Sequence, residues 1–97
     1  MNDAAILQMI KIDLGISADA YDDMLGMLMA AAKSMITNEG LSIDTAASQE
    51  DAALVVMYTA YLWRKRREES AAMPRMLRWA LNNAILKQKA QGGDANG

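Results

Sequence analysis

The chain has 97 residues, a formal net charge of −2, and neither cysteine nor histidine. A chain of this length forms one domain with one core of modest size. The lack of cysteine and histidine excludes disulfides, thiol nucleophiles and thiolate or imidazole metal sites within this sequence.

The nearly neutral charge conceals a strong asymmetry along the chain. Residues 1–51 contain nine acidic and two basic residues, whereas residues 52–97 contain eight basic and three acidic residues, which gives net charges of −7 and +5. Such a split is typical of a basic face for nucleic acid, or of complementary faces that meet in an assembly. Alternatively, the two halves neutralise each other within one monomer.

The first predicted helix spans about residues 3–13. Asn2 or Asp3 can cap its start, and Gly15 can end it in the left-handed conformation. Its apolar residues recur at helical spacing and form one face: Ile6, Leu7, Ile10 and Leu14. The first ten residues carry Asp3 and no basic segment, so we expect no signal peptide and a protein made in a cytoplasm.

The second predicted helix spans about residues 19–39, with Ser17 or Asp19 as its expected N-cap and Gly40 at its end. The residues expected on its buried face are Tyr21, Met24, Leu25, Leu28, Ala31, Ala32, Met35 and Ile36. Met27 and Met29 fall off that face. Gly26 weakens the helix by about 1 kcal/mol relative to alanine, which suggests a close helix crossing there.

The third predicted helix spans about residues 49–67, after the longest connection of the chain. Ser48 with Asp51 three positions later resembles a capping box. The helix contains the stretch 52–63, which is apolar except for Thr59 and, at about 18 Å, too short to cross a membrane core of about 30 Å. A helix that is apolar on nearly all sides must be covered on nearly all sides. A small chain has difficulty covering the second face, so we expect a subunit interface at Leu54, Met57, Tyr58 and Tyr61.

The fourth predicted helix spans about residues 74–89 and has Pro74 at its first position. The residues expected on its buried face are Met76, Leu77, Ala80, Leu81, Ala84 and Ile85. Trp79 lies off this face and is a further candidate interface residue, because tryptophan is enriched at interface hot spots. The polar, glycine-rich residues 91–97 are predicted to be a disordered tail. The sequence thus predicts an all-α bundle of about four helices, with a single domain over residues 1–90.

No catalytic constellation emerges from the sequence. The acidic pairs Asp22-Asp23 and Glu50-Asp51 lie at predicted helix starts, where the helix dipole already explains them. Motifs that pair a nucleophile with a base, or that bind phosphate or a dinucleotide, are absent. We therefore expect neither enzymatic activity nor a cofactor.

A basic cluster follows the apolar stretch and continues into the fourth helix: Arg64, Lys65, Arg66, Arg67, Arg75 and Arg78. These residues could contact DNA phosphates without reading sequence. They could also form a solvated helix end that complements the helix dipole, or pair with acidic residues of another subunit. Four consecutive helical residues point all around the helix, so they cannot all meet one DNA backbone.

Several landmarks in this order resemble a known family. Lys11–Ile16 (KIDLGI) precedes Asp22-Asp23 and a helix with Leu25 and Ala31-Ala32. An acid-capped apolar helix with two tyrosines and a basic end follows, and then Met73-Pro74 opens the last helix. Together, over about residues 4–87, these features resemble the small head–tail connector proteins of tailed bacteriophages, also called adaptor or head-completion proteins and often described as possible DNA-packaging proteins.

The resemblance implies an all-helical subunit of the virion that assembles into a ring of about twelve copies beneath the portal and extends the DNA channel. Its implied partners are further copies of itself, the portal protein, and a stopper or tail-completion protein. DNA could pass through the ring without specific contacts. The alternative function is a small helical DNA-binding regulator that uses the basic region 64–78, with Asn82 and Asn83 as further base-reading candidates. We expect no membrane partner, because the acidic second helix would be repelled by anionic lipid.

Overall fold

The computed structural model confirms an all-α fold of four helices. It describes the backbone of residues 1–96 and the side chains of residues 1–91. The helices are α1 (Asp3–Leu14), α2 (Asp22–Asn38), α3 (Gln49–Arg67) and α4 (Arg75–Asn96), and a single 3₁₀ turn (Asp19–Tyr21) leads directly into α2. Helix α4 continues to Asn96, beyond its expected end at residue 89, so its backbone includes most of the expected tail at 91–97. Within that tail, only the side chain of Gln91 is described.

The ends of α1 follow the sequence expectation. The Asn2 side chain accepts a hydrogen bond from the Ala5 N–H at 2.8 Å. Gly15 has φ 70° in the left-handed region, where glycine has no steric penalty. The N–H groups of Gly15 and Ile16 then donate to the carbonyls of Ile12 and Lys11, which closes the helix C-terminus.

The start of α2 differs from the expectation. The 3₁₀ turn leads directly into the helix, and neither Ser17 nor Asp19 makes a side-chain cap. The Asp19 carboxylate instead lies 3.1 Å from Nζ of Lys11, and that nitrogen is 2.9 Å from the carboxylate of Asp22. The Lys11 side chain is buried, so this pair of carboxylates supplies the partners that a buried ammonium requires. The ion pairs join α1 to the start of α2.

The buried face of α2 is rotated relative to the expected one. Its buried residues are Leu25, Met29, Ala32 and Ile36. Met29 therefore belongs to the core, whereas Tyr21 and Met35, which were expected there, are exposed. Only the arc of α2 that faces α1 and α3 is covered, and the apolar sequence pattern is wider than that arc.

Helix α3 is the centre of the bundle and contacts α1, α2 and α4. Ser48 caps it as predicted, since its hydroxyl accepts from the Asp51 N–H at 3.1 Å. The buried Thr59 hydroxyl donates to the Val55 carbonyl at 2.7 Å, so the one polar residue of the apolar stretch is satisfied within the helix. The sequence is apolar around α3 because three helices cover it.

Helix α4 packs on α3 and is fastened by polar contacts to the segment that follows α2. Leu77 and Leu81 face the core. The Gln88 side-chain amide forms two hydrogen bonds of 2.8 Å with the backbone of Ser42, one as donor and one as acceptor. Nearer the start of α4, Arg78 pairs with Glu39 at the end of α2. Pro74 directly precedes the helix, and its carbonyl accepts from the Arg78 N–H.

Gly26 has no packing role that would require glycine. A Cβ atom built on it meets nothing within 4 Å, so the close helix crossing expected there does not exist. We expect Gly26→Ala to stabilise the protein by about 0.5–1 kcal/mol, because alanine has the better helix propensity and restricts the unfolded chain. Urea unfolding followed by circular dichroism measures this. A loss of stability would show that the backbone near Gly26 cannot accept a side chain.

Candidate interaction surface

The structure corrects the expected interface on α3. Leu54 and Tyr58 are only 4% and 6% exposed, because the chain itself covers them. The premise that one small chain leaves them open is therefore wrong. Met57 and Tyr61 are half-buried and pack on the edge of the core. Tyr58 and Tyr61 also make an edge-to-face contact, with ring centroids 5.9 Å apart.

A group of exposed apolar side chains lies instead on the outer side of α4. Met76, Trp79 and Leu86 are 73%, 70% and 64% exposed. They occur at intervals of three and seven residues, which places them on one face of the helix. Leu77 and Leu81 occupy the opposite face and are buried. Helix α4 is thus apolar on two sides, and the fold covers only one of them.

Two residues of this exposed face, Met76 and Leu86, were not predicted to lie on it. The sequence predicts Met76 in the core because Ala80 and Ala84 follow it at intervals of four residues, but it points outward. The sequence pattern does not mark Leu86 as an interface residue. The interval of seven residues from Trp79 to Leu86 was the available signal, since residues seven apart lie on the same side of a helix.

Trp79 forms a ridge between two open hollows. One, of about 360 Å³, lies between α3 and α4 and includes Ala53, Met57, Asn83 and Ala84 in its lining. Glu50 and Lys87 also line this hollow, and their charged groups are 3.9 Å apart. The other, of about 500 Å³, is lined by Met73, Arg75, Arg78, Trp79 and Asn82. A large aromatic side chain standing between hollows has the shape of an interface anchor.

Several members of the basic cluster make contacts within the chain, although all six remain exposed. Arg64 lies 3.8 Å from Asp13, and Arg78 binds Glu39. Lys65 donates to the carbonyls of Glu69 and Ala71 at 2.8 and 3.3 Å. The Arg66 guanidinium lies 5.5 Å from the ring centre of Trp63, a cation–π distance. Arg67 and Arg75 are exposed on different helices.

Ion pairs also connect the acidic half of the sequence with the basic half. Among the residues with described side chains, these pairs are Asp13–Arg64, Glu39–Arg78 and Glu50–Lys87. The charge split is therefore neutralised in part within the monomer, as one of the sequence interpretations proposed. Exposed pairs of this kind contribute little stability each, so their main effect is on the charge that remains for a partner.

The Glu39–Arg78 pair lies beside Tyr58, and this environment has a consequence at alkaline pH. Burial, and secondly the charge of Glu39, raise the pKa of Tyr58 above its ordinary value of 10.0. Similarly, the contacts with Asp22 and then Asp19 raise the pKa of Lys11 above 10.5. In both cases the folded protein holds its proton at a pH where the unfolded chain releases it.

We therefore expect stability to fall as the pH rises above about 10, because the unfolded chain then binds fewer protons than the folded protein. Urea unfolding at intervals from pH 8 to 11 measures the effect. Absorbance of tyrosinate near 295 nm should show one of the three tyrosines titrating late, and Tyr58→Phe should remove that phase. An unchanged late phase in Tyr58→Phe would contradict the assignment, and Tyr61→Phe is the matched control.

The described residues contain no group of three or more acidic side chains placed to hold a metal ion. Over the same part of the chain, no helix is both long enough and apolar enough to cross a membrane.

Comparison with known proteins adds no relative. No family model matches the chain, and neither a curated protein nor a solved structure is significantly similar to it.

Proposed function

We propose that this chain is a structural subunit of the head–tail junction of a tailed bacteriophage, which joins further copies in a ring beneath the portal. In this proposal it is an adaptor without catalytic activity, and the ring extends the channel for DNA toward a stopper or tail-completion protein. The landmarks that resemble the connector family suggested this role. The structural observation that carries it is the exposed apolar face of α4.

Three large apolar side chains in water on one helix, next to open hollows, are typical of a surface that a partner covers. The face belongs to a helix that is fastened at Glu39 and Ser42, so it is presented on a rigid support. Rigid presentation lowers the entropy lost on association. This face replaces the α3 residues on which the sequence argument for assembly depended.

A ring also requires two different complementary surfaces on each copy, because its interface is heterologous. The part of the chain that precedes α3 is acidic, and residues 75–91 of α4 contain four basic residues and no acidic one. The pairs at Arg78 and Lys87 use two of those charges internally. Arg75 and Lys89 remain exposed for a neighbour.

Sedimentation velocity and native mass spectrometry test the proposal, with the protein alone and mixed with the portal protein of the phage that encodes it. We expect a ring to form on the portal, and also at high concentration if the portal is not needed as a template. A protein that stays monomeric in every mixture, at all concentrations, would contradict the proposal.

The alternative function, a DNA-binding regulator, receives less support from the geometry. Its recognition residues would include Arg78, whose guanidinium is held by Glu39. Trp79 would stand at the contact face, where readers of the major groove place polar side chains. A gel shift over a range of salt concentrations separates the two functions. Tight binding to duplex DNA that weakens steeply with salt would favour the regulator.

A further inference from the structure

The outer face of α2 has properties that complement the outer face of α4. Met27 is exposed on α2, to the same degree as Trp79 on α4. Asp23 lies four residues before Met27 and is also exposed, so both side chains stand on one side of α2. On α4, Arg75 lies four residues before Trp79 in the same way. Each helix thus carries one charge and one large apolar side chain about 6 Å apart along its axis, and the charges have opposite signs.

These two charges are available for a partner. The ion pairs among the described residues involve neither Asp23 nor Arg75. The neighbouring Asp22, by contrast, is committed to Lys11 inside the fold. The residues that follow Met27 on the same side of α2, Ala30 and Ser34, are small. They leave room for a bulky side chain from another molecule.

We propose that α4 of one copy packs along α2 of the next copy, in the same direction, with Trp79 against Met27 and Arg75 paired with Asp23. The inference rests on the proposed function, because the second copy is the neighbour in the ring. The contact is heterologous, because each copy offers α4 to one neighbour and α2 to the other, and such a series of contacts can close into a ring. The charge pair sets direction and register, while burial of Trp79 and Met27 supplies most of the affinity.

Cysteine cross-linking tests the contact directly, because the chain has no cysteine of its own. Asn83→Cys places a thiol on α4 one turn after Trp79, and Ala30→Cys places one on α2 one turn after Met27. We expect a mixture of the two single variants, assembled on the portal and oxidised, to give a disulfide-linked dimer. Each variant alone should give little. Gln8→Cys, on the exposed side of α1, is the matched control.

The other outcomes of this experiment contradict the inference in different ways. Cross-linking of Asn83→Cys to itself would indicate that α4 packs on α4 of a second copy. Preferential cross-linking to Gln8→Cys would place the contact on α1. Rings that form without any of these links would overturn this contact but leave the proposed function intact. Failure of the unmodified protein to assemble on the portal would overturn both.

Charge reversal tests the pairing separately. Arg75→Glu and Asp23→Lys should each reduce ring formation by about fivefold or more, and the double variant should restore it to within about twofold. Arg67→Glu makes the same charge change at the end of α3 and should have no effect. Thermal unfolding of each variant monomer verifies that it folds. Equal losses in the single and double variants, with folding intact, would show that Asp23 and Arg75 do not meet.

Discussion

Replacing Trp79 with alanine is expected to abolish assembly while leaving the stability of the monomer nearly unchanged. Trp79 is mostly exposed, so its removal should change the free energy of unfolding by no more than about 0.5 kcal/mol. At an interface, by contrast, loss of an anchoring tryptophan costs about 2 kcal/mol or more, which is about a thirtyfold loss of affinity per contact. In a ring every copy loses this contact, so the effect on assembly is larger still.

Trp63 supplies the matched control, because it is the other tryptophan and is buried. Its ring makes an edge-to-face contact with the ring of Tyr21, with ring centroids 5.5 Å apart. It also lies beneath the guanidinium of Arg66. Trp63→Ala should therefore cost about 3–5 kcal/mol of folding stability through loss of a large core side chain.

Fluorescence distinguishes the two tryptophans, since each variant retains one of them. The protein with only Trp63 should show blue-shifted emission that changes on unfolding. The protein with only Trp79 should emit as a solvent-exposed indole and shift to the blue on assembly. Reversal of these roles, with Trp79→Ala unfolding the monomer, would contradict the placement of both residues.

Leu54→Ala is expected to destabilise the monomer by about 2–5 kcal/mol, because Leu54 belongs to the buried core and its truncation leaves a cavity. Met76→Ala, which removes a side chain of similar size from the exposed side of α4, should change stability by less than about 0.5 kcal/mol. Urea unfolding of the monomer at low concentration measures both variants. The concentration should be low enough that self-association makes no contribution.

The comparison tests two sites at which the sequence predicts the opposite placement, with Leu54 at the interface and Met76 in the core. A small effect of Leu54→Ala on the monomer, together with loss of assembly, would return Leu54 to the interface and contradict its burial. A large effect of Met76→Ala on the monomer would likewise show that the chain covers the outer side of α4.

The helices themselves could be predicted because their determinants are local. Asn2 and Ser48 each offer an oxygen to a free N–H group of the first turn, and Gly15 accepts the left-handed conformation that ends α1. These interactions involve residues only a few positions apart. At the start of α2, by contrast, the predicted cap at Asp19 was wrong, because another residue binds the Asp19 carboxylate. That residue is Lys11, which lies eight positions earlier in the sequence and on another helix.

Which side of each helix is covered could not be predicted in the same way. Met27 and Met29 are the same residue type two positions apart, yet one is exposed and the other is buried. Likewise, Met76 and Leu77 are adjacent and apolar, and only Leu77 faces the core. The choice depends on where the neighbouring helices lie, which is set by contacts between residues far apart in the sequence.

By itself, the sequence determined the number and approximate bounds of the helices, the apolar character of α3 and the opposite charges of the two halves. The tertiary structure decided that Leu54 and Tyr58 of α3 are covered by their own chain, that ion pairs join the two charged halves, and that α4 presents Trp79 to solvent. The physical reason is that a helix forms through bonds between residues three or four positions apart, so its sequence specifies it locally. Burial is instead a competition among all apolar faces for a limited area of contact, and only the packed arrangement shows which face remains exposed.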